Sequence, residues 1–378
     1  MRTKLTALAV LALGTFAIGT DAQIVVGLLD RIAADFAISS AQAGQLVTVF
    51  GLCYALFAPI SGWLAGGIDR KRSIELASLA FILGNIVCYL AGTYPVMVLG
   101  RIVAALGASL FTPLAFTIAT SLLDEARRGA ALSVVFGGMT IALIVGVPAG
   151  AYLGQRIDWH LVFLIIAAAG AIELLLLNVL LPAMPPGGRT TLWERLSPAK
   201  DPAVLTTLSI TFVGVLSDYA LYTYISVVFA GAEMPARSIL PSVLFAFGLG
   251  ALSGNLLSGV ATDTLGPRRT LLAALGVQTL ALPTLFLVRQ VPMAALGVTF
   301  VWGVVSYIYL IPIQHKLLAL AKMAGQMTLS LNSSAIYFGI ACGGALGGLA
   351  LAKFGVAGLP ILATAFGVVA LLVTLCWF

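Results

Sequence analysis

The chain contains 378 residues, of which 61% are hydrophobic and only 9% are charged, and its mean hydropathy is +1.09. A soluble globular protein carries about 25% charged residues, so this composition excludes a soluble enzyme, a disordered protein and a nucleic-acid binder. Because a membrane-spanning helix needs about 20 apolar residues, the chain has room for about twelve of them joined by short loops. We therefore expect an integral, polytopic membrane protein.

Apolar runs and the breakers between them predict twelve helices. The first run begins at Leu5 and continues to about Leu29, which is too long for the apolar core of a signal peptide. A polar stretch from Pro182 to Pro202, rich in proline, glycine and charge, separates six helices from six more. The predicted helices cover about residues 5–29, 41–66, 73–92, 95–121, 131–154, 161–181, 203–230, 238–261, 270–288, 292–313, 327–351 and 355–377.

Basic residues predict the orientation of these helices. With the N-terminus inside, the inner segments hold 14 of the 20 Lys and Arg residues, Arg189 and Lys322 among them, and the outer loops hold 5. Cytoplasmic loops retain positive charge, so both termini are expected to be cytoplasmic. The net charge of +6 is explained by this bias without an acidic partner.

The two sets of six helices show an internal repeat. Thr20-Asp21 matches Ser217-Asp218, and the segment 61–72 matches 258–269, both at an offset of 197 residues. We predict an all-α membrane protein of twelve transmembrane helices in two pseudo-symmetric six-helix bundles, with a binding site between them. The predicted division is an N-terminal bundle at 1–182, a cytoplasmic linker at 183–202 and a C-terminal bundle at 203–378.

Two turns and two helices carry short motifs. The turns after helices 2 and 8 share glycine, an acid and arginine, and helix 4 carries Arg101. Helix 5 reads Gly-Val-Pro-Ala-Gly, in which glycine permits close packing and proline bends the helix. The motif residues are Gly62, Asp69 and Arg70 after helix 2, Gly146, Pro148 and Gly150 in helix 5, and Asp263, Gly266 and Arg268 after helix 8.

With these motifs the sequence resembles the major facilitator superfamily, and within it the bacterial twelve-helix branch of drug/proton antiporters and related sugar, purine and drug exporters. The resemblance implies the major facilitator fold, alternating access and a bacterial inner-membrane location. The family signature has an acid where this chain has Gly66, and Asp69 is the nearby acid that could replace it in the charge contacts of the cytoplasmic side. The helix-5 motif resembles that of antiporters and favours export.

Four ionisable residues fall within predicted helices, where each costs several kcal/mol and is a functional candidate. The proton-coupling candidates are Asp21, Asp218, Glu173 and Arg101. Asp21 is expected nearer the outer mouth than the centre, since it lies about 24 Å along helix 1 from its start. Burial disfavours the ionised form of either aspartate, whereas a nearby Arg101 favours it.

Each of these residues also has a structural interpretation. Asp21 could pair permanently with Arg101 or cap a break in helix 1. Arg101 could gate proton release, hold an anionic group, or bond backbone carbonyls of helices 1 and 2. Glu173 could face lipid in the protonated form or pair near Asn178.

Polar and aromatic residues of the predicted helices are candidates for a substrate cavity, because pockets combine apolar walls with a few placed polar groups. The alternative for each aromatic is packing or an interfacial belt. The candidates are Gln45, Tyr54, Thr112, Tyr219, Tyr222, Asn255, Trp302, Tyr307 and Asn332.

The sequence carries no phosphate-binding loop, no His-Glu-x-x-His site and no informative catalytic set, so an enzyme is not predicted, and neither is a cofactor or metal. We predict proton-coupled efflux of a small organic molecule by alternating access, with protons, the substrate and the lipid bilayer as partners and a monomer as the working unit. The alternatives are a proton symporter or uniporter that imports a sugar- or nucleobase-like solute, and a transport-inactive sensor or assembly partner.

Overall fold

The computed structural model describes residues 2–124, 127–182, 184–186, 191–230, 236–321 and 325–378. Every regular element within these ranges is a helix, and twelve segments are long and apolar enough to cross a membrane. The predicted all-α fold with twelve spans is therefore confirmed. Arg189 and Lys322, counted above as inner basic residues, lie outside the described residues, and the orientation of the termini stays a prediction.

The helices follow one another along the chain with short turns between them. Three spans consist of two helices each, and the segment between spans 6 and 7 contains a short helix and a 3₁₀ turn at Ser197–Lys200. The helices are α1 Arg2–Asp35 (span 1), α2 Ser40–Ala65 (span 2), α3 Arg70–Tyr89 (span 3), α4 Tyr94–Leu122 (span 4), α5 Arg128–Ile141 and α6 Val147–Arg156 (span 5), α7 His160–Leu180 (span 6), α8 Leu192–Leu196, α9 Pro202–Tyr222 and α10 Ile225–Ala230 (span 7), α11 Ala236–Leu265 (span 8), α12 Pro267–Val288 (span 9), α13 Pro292–Ile308 and α14 Leu310–Ala321 (span 10), α15 Gly325–Phe354 (span 11) and α16 Gly358–Trp377 (span 12).

Local sequence explains where several helices begin. Ser39 and Gln42 form a reciprocal capping box at the start of span 2, and Asp69 accepts from two backbone amides at the start of span 3. Gly266 precedes span 9 with a φ of 83°, a conformation that glycine adopts without the steric cost of a Cβ atom.

Span 1 is longer than predicted, because the helix continues past Leu29 to Asp35. At a rise of 1.5 Å per residue, Asp21 then lies about 28 Å from one end of the helix and about 21 Å from the other. Asp21 therefore lies close to the middle of the helix, slightly nearer its C-terminal end, and its depth relative to the outer mouth stays a prediction.

The spans define two faces. Both termini and the turns that follow even-numbered spans lie on what we call the terminal face, and the turns that follow odd-numbered spans lie on the distal face. Spans 1–6 are called the N-terminal half and spans 7–12 the C-terminal half, although the exact predicted division at 183–202 stays a prediction.

The two halves pack closely from mid-membrane to the distal face. Glycines allow this approach, since a Cβ atom at Gly51 would lie 2.8 Å from the Tyr337 carbonyl oxygen and one at Gly344 would lie 2.9 Å from Thr48 Oγ1. Span 8 similarly packs with Gly248 against the backbone of Leu143 in span 5. These crossings of spans 2 and 11 and of spans 5 and 8 hold the halves together.

Candidate functional site

The first element of the site is a buried ion pair inside the N-terminal half. Arg101 Nη1 of span 4 donates to Asp21 Oδ1 of span 1 at 2.7 Å and to the Asp21 carbonyl oxygen at 3.1 Å. Both side chains are completely buried. The pair neutralises its own charge, which is how ionisable groups are accommodated inside a membrane protein.

Neighbouring side chains complete the surroundings of this pair. The Arg101 guanidinium lies 4.3 Å from the ring centroid of Phe50 in span 2, a cation–π contact. Asn85 of span 3 is a further polar neighbour of the Asp21 carboxyl. Arg101 therefore fixes the position of Asp21, and both its pairing with Asp21 and its bond to a carbonyl of span 1 exist in this structure.

The second acid has a different environment. Asp218 of span 7 is 5% exposed, and its Oδ1 accepts from Trp302 Nε1 at 2.6 Å and from Ser306 Oγ at 3.1 Å. The Tyr309 side chain is a third polar neighbour. Both donors and this neighbour are neutral, so Asp218 is held in place by dipoles where Asp21 is held by a cation.

The internal repeat relates these two arrangements. Phe50 and Phe247 are separated by the same 197 positions as Asp21 and Asp218, and Phe247 packs on the Trp302 ring with centroids 5.0 Å apart. Each half thus presents an acid, an aromatic ring at the equivalent position, and a hydrogen-bond donor. The donor is an arginine in one half and a tryptophan in the other.

Tyrosines bring the two halves together around these acids. Tyr54 of span 2 stacks on Tyr337 of span 11 with ring centroids 3.5 Å apart, and the Tyr219 hydroxyl of span 7 accepts from Gln23 of span 1. Tyr222 packs edge-on against Tyr219 at 5.5 Å, and Tyr307 lies beside Asp218. The sequence-predicted Tyr54, Tyr219, Tyr222, Trp302 and Tyr307 therefore converge on one region between the halves.

Of the remaining cavity candidates, Thr112 has a contact with one of these tyrosines. The Thr112 hydroxyl neighbours Tyr54, and Asn332 Oδ1 accepts from Thr211 Oγ1 at 2.8 Å within the C-terminal half. Gln45 Nε2 donates to the carbonyl of Ala41 in its own helix, and Asn255 is only partly buried.

Glu173 departs from one of the two positions suggested by the sequence. Its side chain is 1% exposed and is neighboured by the Ser78 hydroxyl of span 3. The lipid-facing interpretation is therefore wrong, because the packing of span 3 against span 6 covers this face of the helix. Asn178 instead uses its carbonyl to accept from Lys71 Nζ at 2.9 Å.

The turns on the terminal face anchor helix ends. Asp69 Oδ2 accepts from the Met184 amide at 2.9 Å, while its Oδ1 caps span 3, so this acid ties the turn after span 2 to the segment after span 6. Arg70 is partly exposed and Asp263 is exposed. The surroundings of Gly62 lie outside the described residues.

The C-terminal half repeats one of these anchors. Arg268 Nη2 donates to the Leu375 carbonyl at 2.8 Å, and both residues lie 197 positions after Lys71 and Asn178. Gly266 supplies the positive φ that starts span 9. The repeat is thus preserved in contacts as well as in sequence.

The helix-5 motif packs span 5 against span 1. Cβ atoms at Gly146 and Gly150 would overlap Thr20 and Ile24, and the motif follows a five-residue π-helical turn at Ala142–Gly146 that ends just before Pro148. Its close-packing role is as expected from glycine and proline chemistry.

Sequence reasoning missed several residues of the site, notably Gln23, Asn85, Ser306, Tyr309 and Tyr337. Trp302, Ser306 and Tyr309 follow one another at spacings of four and three residues, which places them on one helix face. That stripe could have identified Ser306 and Tyr309. Gln23, Asn85 and Tyr337 have no such local signal, because their partners come from other spans.

Two apolar grooves lie apart from this site. One of about 520 Å³ runs between spans 5, 8 and 10 along Pro148, Tyr152 and Phe245, and the other lies between spans 9 and 12. The sequence-predicted cavity residues line neither of them.

Comparison with known proteins agrees with this architecture. The family model of the Major Facilitator Superfamily matches residues 11–328. The chain belongs to the Major Facilitator Superfamily. Members of this superfamily are transporters, so the prediction that the chain is not an enzyme is confirmed by its family and relatives.

Several curated relatives cover nearly the whole chain. The inner membrane transport protein YdhP of Escherichia coli (strain K12) is 31% identical over 365 residues, 96% of this chain and 93% of its own. The MFS-type transporter YbcL of Bacillus subtilis (strain 168) is 31% identical over 340 residues, 90% and 87% of the two chains. A probable sugar efflux transporter of Pasteurella multocida is 28% identical over 357 residues, 94% and 88% of the two chains. The chain is accordingly a multi-pass inner-membrane transporter.

Solved structures share the fold at low sequence identity. The nucleoside transporter NupG superposes with a TM-score of 0.80 at 14% identity, covering 100% of both chains. A bacterial homologue of the lysosomal transporter Spinster, in an inward-facing and unoccupied conformation, gives 0.74 at 19% identity, covering 99% and 96%.

Proposed function

We propose that this transporter exports a small organic molecule across the inner membrane in exchange for protons, by alternating access of its two halves. Substrate binds between the halves among the tyrosines that converge there. A proton from the outer side then binds an intramembrane carboxyl and drives release. Each elementary charge moved is worth about 2.3 kcal/mol per 100 mV of membrane potential.

The environment of Asp218 carries this proposal. Its carboxyl is buried and receives hydrogen bonds from Trp302 and Ser306, both neutral, and the neutral Tyr309 lies nearby. A buried carboxylate without a cation is costly, so binding a proton or a substrate group relieves the same cost. Asp218 is thus the residue at which the two events are coupled.

Asp21 has a different role in this scheme. Its charge is compensated by Arg101 in the present arrangement, so a proton gains little there until the pair separates. We assign the pair to holding spans 1 and 4 together, with a second protonation at Asp21 only in a conformation that opens it.

Two observations support export over import. The Gly146-Pro148-Gly150 motif resembles that of antiporters, and one relative is named a probable sugar efflux transporter.

Proton flux in proteoliposomes tests the proposal. The purified protein is reconstituted with a pH-sensitive dye, and purines, sugars, amino acids and organic cations are added one at a time. A substrate of the wild type should trigger proton movement, and Asp218→Asn should abolish that movement and uphill export while the protein stays folded.

Asp201→Asn is the matched control, because this acid is exposed at the start of span 7 and asparagine is an equally good helix cap, so coupling should stay intact. Uphill export that survives in Asp218→Asn contradicts the coupling assignment. Protons and substrate moving in the same direction would indicate a symporter, substrate flux without protons a uniporter, and no flux of any compound a sensor or assembly partner.

A further inference from the structure

His160, one of only two histidines in the chain, lies on the distal face at the junction of three turns. Its Nδ1 lies 2.7 Å from Asp158 Oδ1, and its Nε2 lies 3.2 Å from the Ala91 carbonyl oxygen and 3.8 Å from Asp35 Oδ2. The ring stacks on Trp159 with centroids 3.7 Å apart, and Phe36 packs on it edge-on. Residues from the ends of spans 1 and 3 and from the start of span 6 meet there.

These contacts suit an imidazole that carries a hydrogen on each nitrogen. A carbonyl oxygen can only accept, so Nε2 must carry a hydrogen to bond Ala91. Asp158 is 60% exposed, and hydrogen bonds from the side chain and backbone of His160 lower the pKa of its carboxyl. The ionised carboxylate also only accepts, so a ring that carries a hydrogen on both nitrogens satisfies both contacts.

The contact between His160 and Asp35 reaches the distal end of span 1. One turn before Asp35, Asp30 Oδ1 accepts from Ser226 Oγ of span 7 at 3.2 Å, a contact between the two halves. Arg31 Nη2 donates to the Gln155 carbonyl of span 5 at 2.5 Å. The last two turns of span 1 therefore connect span 5, span 6 and the opposite half.

We infer that His160 is a proton-operated clamp, which in its doubly protonated form fastens the distal end of span 1 to the turns around Ala91 and Asp158. The charged groups facing the ring are Asp35 from span 1 and Asp158 from the turn before span 6. From span 4, Tyr94 reaches this cluster through the ring of Phe36.

The sign of the pH dependence follows from the contacts. Histidine changes charge between about pH 5 and pH 8, and a protonated ring donates to Asp158 and lies at ion-pair distance from Asp35. The clamp is therefore closed in mildly acidic solution and loosens as the pH of the distal side rises. The clamp does not depend on the substrate or on Asp218. Its test is therefore independent of the test of the proposed transport.

Thermal unfolding of the full-length protein across pH tests the clamp. His160→Gln removes the charge and should lower Tm by about 1–3 °C near pH 5.5, with a difference that vanishes near pH 8.5. His315→Gln is the matched control, since His315 is exposed on the terminal side. Its Tm should equal that of the wild type at every pH. His160→Lys keeps a cation near both aspartates at every pH. The difference in Tm between His160→Lys and His160→Gln should therefore not change over this range.

A second measurement reads α10 of span 7, which packs against span 1 and bonds its distal end through Ser226. Val227→Cys, beside Ser226, reports access by its modification rate, measured on the peptide that contains it. We compare this rate in protein that carries His160→Gln with the rate in protein that retains His160. The first should be more than three times the second near pH 5.5, and the two should be equal near pH 8.5. Equal ratios at both pH values, or a Tm difference that is constant with pH, would show a merely structural histidine and overturn the clamp.

Discussion

At the scale of single residues, the two intramembrane acids occupy equivalent repeat positions but have opposite electrostatic environments. Asp21 forms a fully buried ion pair, whereas Asp218 receives neutral donors. Removing one partner of a buried ion pair leaves an uncompensated charge, whereas a carboxyl bound by neutral groups tolerates an amide of the same shape. Removing the partner of Asp21 should therefore destabilise the protein more than replacing Asp218 by its amide.

Arg101→Gln should destabilise the protein by about 3–5 kcal/mol, because Asp21 is left buried without a cation. Asp218→Asn should cost less than about 1.5 kcal/mol, since the donors of Trp302 and Ser306 still find an oxygen. Denaturant unfolding in detergent compares the two variants.

The double variant Asp21→Asn/Arg101→Gln should recover much of the loss, because no charge then remains in the pair. The single variants Asp21→Asn and Arg101→Gln are measured beside it. A loss in the double variant equal to the sum of these two losses would contradict the assigned ion pair.

At the scale of the element, the spans that cross between the halves depend on glycine and on interruptions of regular helix. The π-helical turn at Ala142–Gly146 faces span 8, where a Cβ atom at Gly248 would overlap the Leu143 carbonyl oxygen. The neighbour is backbone, which cannot rotate away as a side chain can. The approach of spans 5 and 8 is therefore sensitive to a single methyl group.

Gly248→Ala should separate spans 5 and 8 and lower stability by about 1–3 kcal/mol through overpacking. Gly276 lies within span 9 with open space at its Cβ position. Gly276→Ala is the matched control and should be neutral or stabilising by up to about 1 kcal/mol, since alanine is the better helix former.

Thermal unfolding of the two glycine variants is the measurement. Equal stabilities would show that spans 5 and 8 are not in the close contact described.

At the scale of the whole molecule, the halves are in contact from mid-membrane to the distal face. Stacked Tyr54 and Tyr337, hydrogen-bonded Gln23 and Tyr219, and the contact between Ser226 and Asp30 all join one half to the other. Alternating access requires these contacts to break and re-form, since the site between the halves must open to each side in turn.

A disulfide across the distal contact should stop transport. A Cβ atom at Gly344 would lie 2.9 Å from Thr48 Oγ1, close to the separation between a Cβ atom and the far sulfur of a disulfide. Thr48→Cys/Gly344→Cys should cross-link on oxidation, lose nearly all flux, and regain it on reduction.

Each single cysteine variant controls for pairing with the native Cys53 or Cys342, which are partly exposed. Undiminished flux in fully cross-linked protein would contradict the need for the distal face to open.

The sequence alone predicted the features that depend on local composition. The bounds of span 4 agree within one residue of those predicted, since apolar runs and breakers act along the chain. The repeat, the family and the pairing of Asp21 with Arg101 were also within reach, because an offset of 197 residues and a lone intramembrane arginine are readable without coordinates. Span 1 was predicted too short because Asp30, Arg31 and Asp35 resemble a loop until their partners are known.

The tertiary structure decided what each polar residue meets. Glu173 is buried because span 3 covers it, Asp218 is bound by Trp302 and Ser306 of span 10, and His160 is enclosed by Asp35 and the Ala91 carbonyl. These partners lie 69 to 125 positions away for His160 and 84 to 88 for Asp218. Hydropathy and helical period report only one helix at a time, so the packing of different helices determines which buried charges are compensated and which remain able to act.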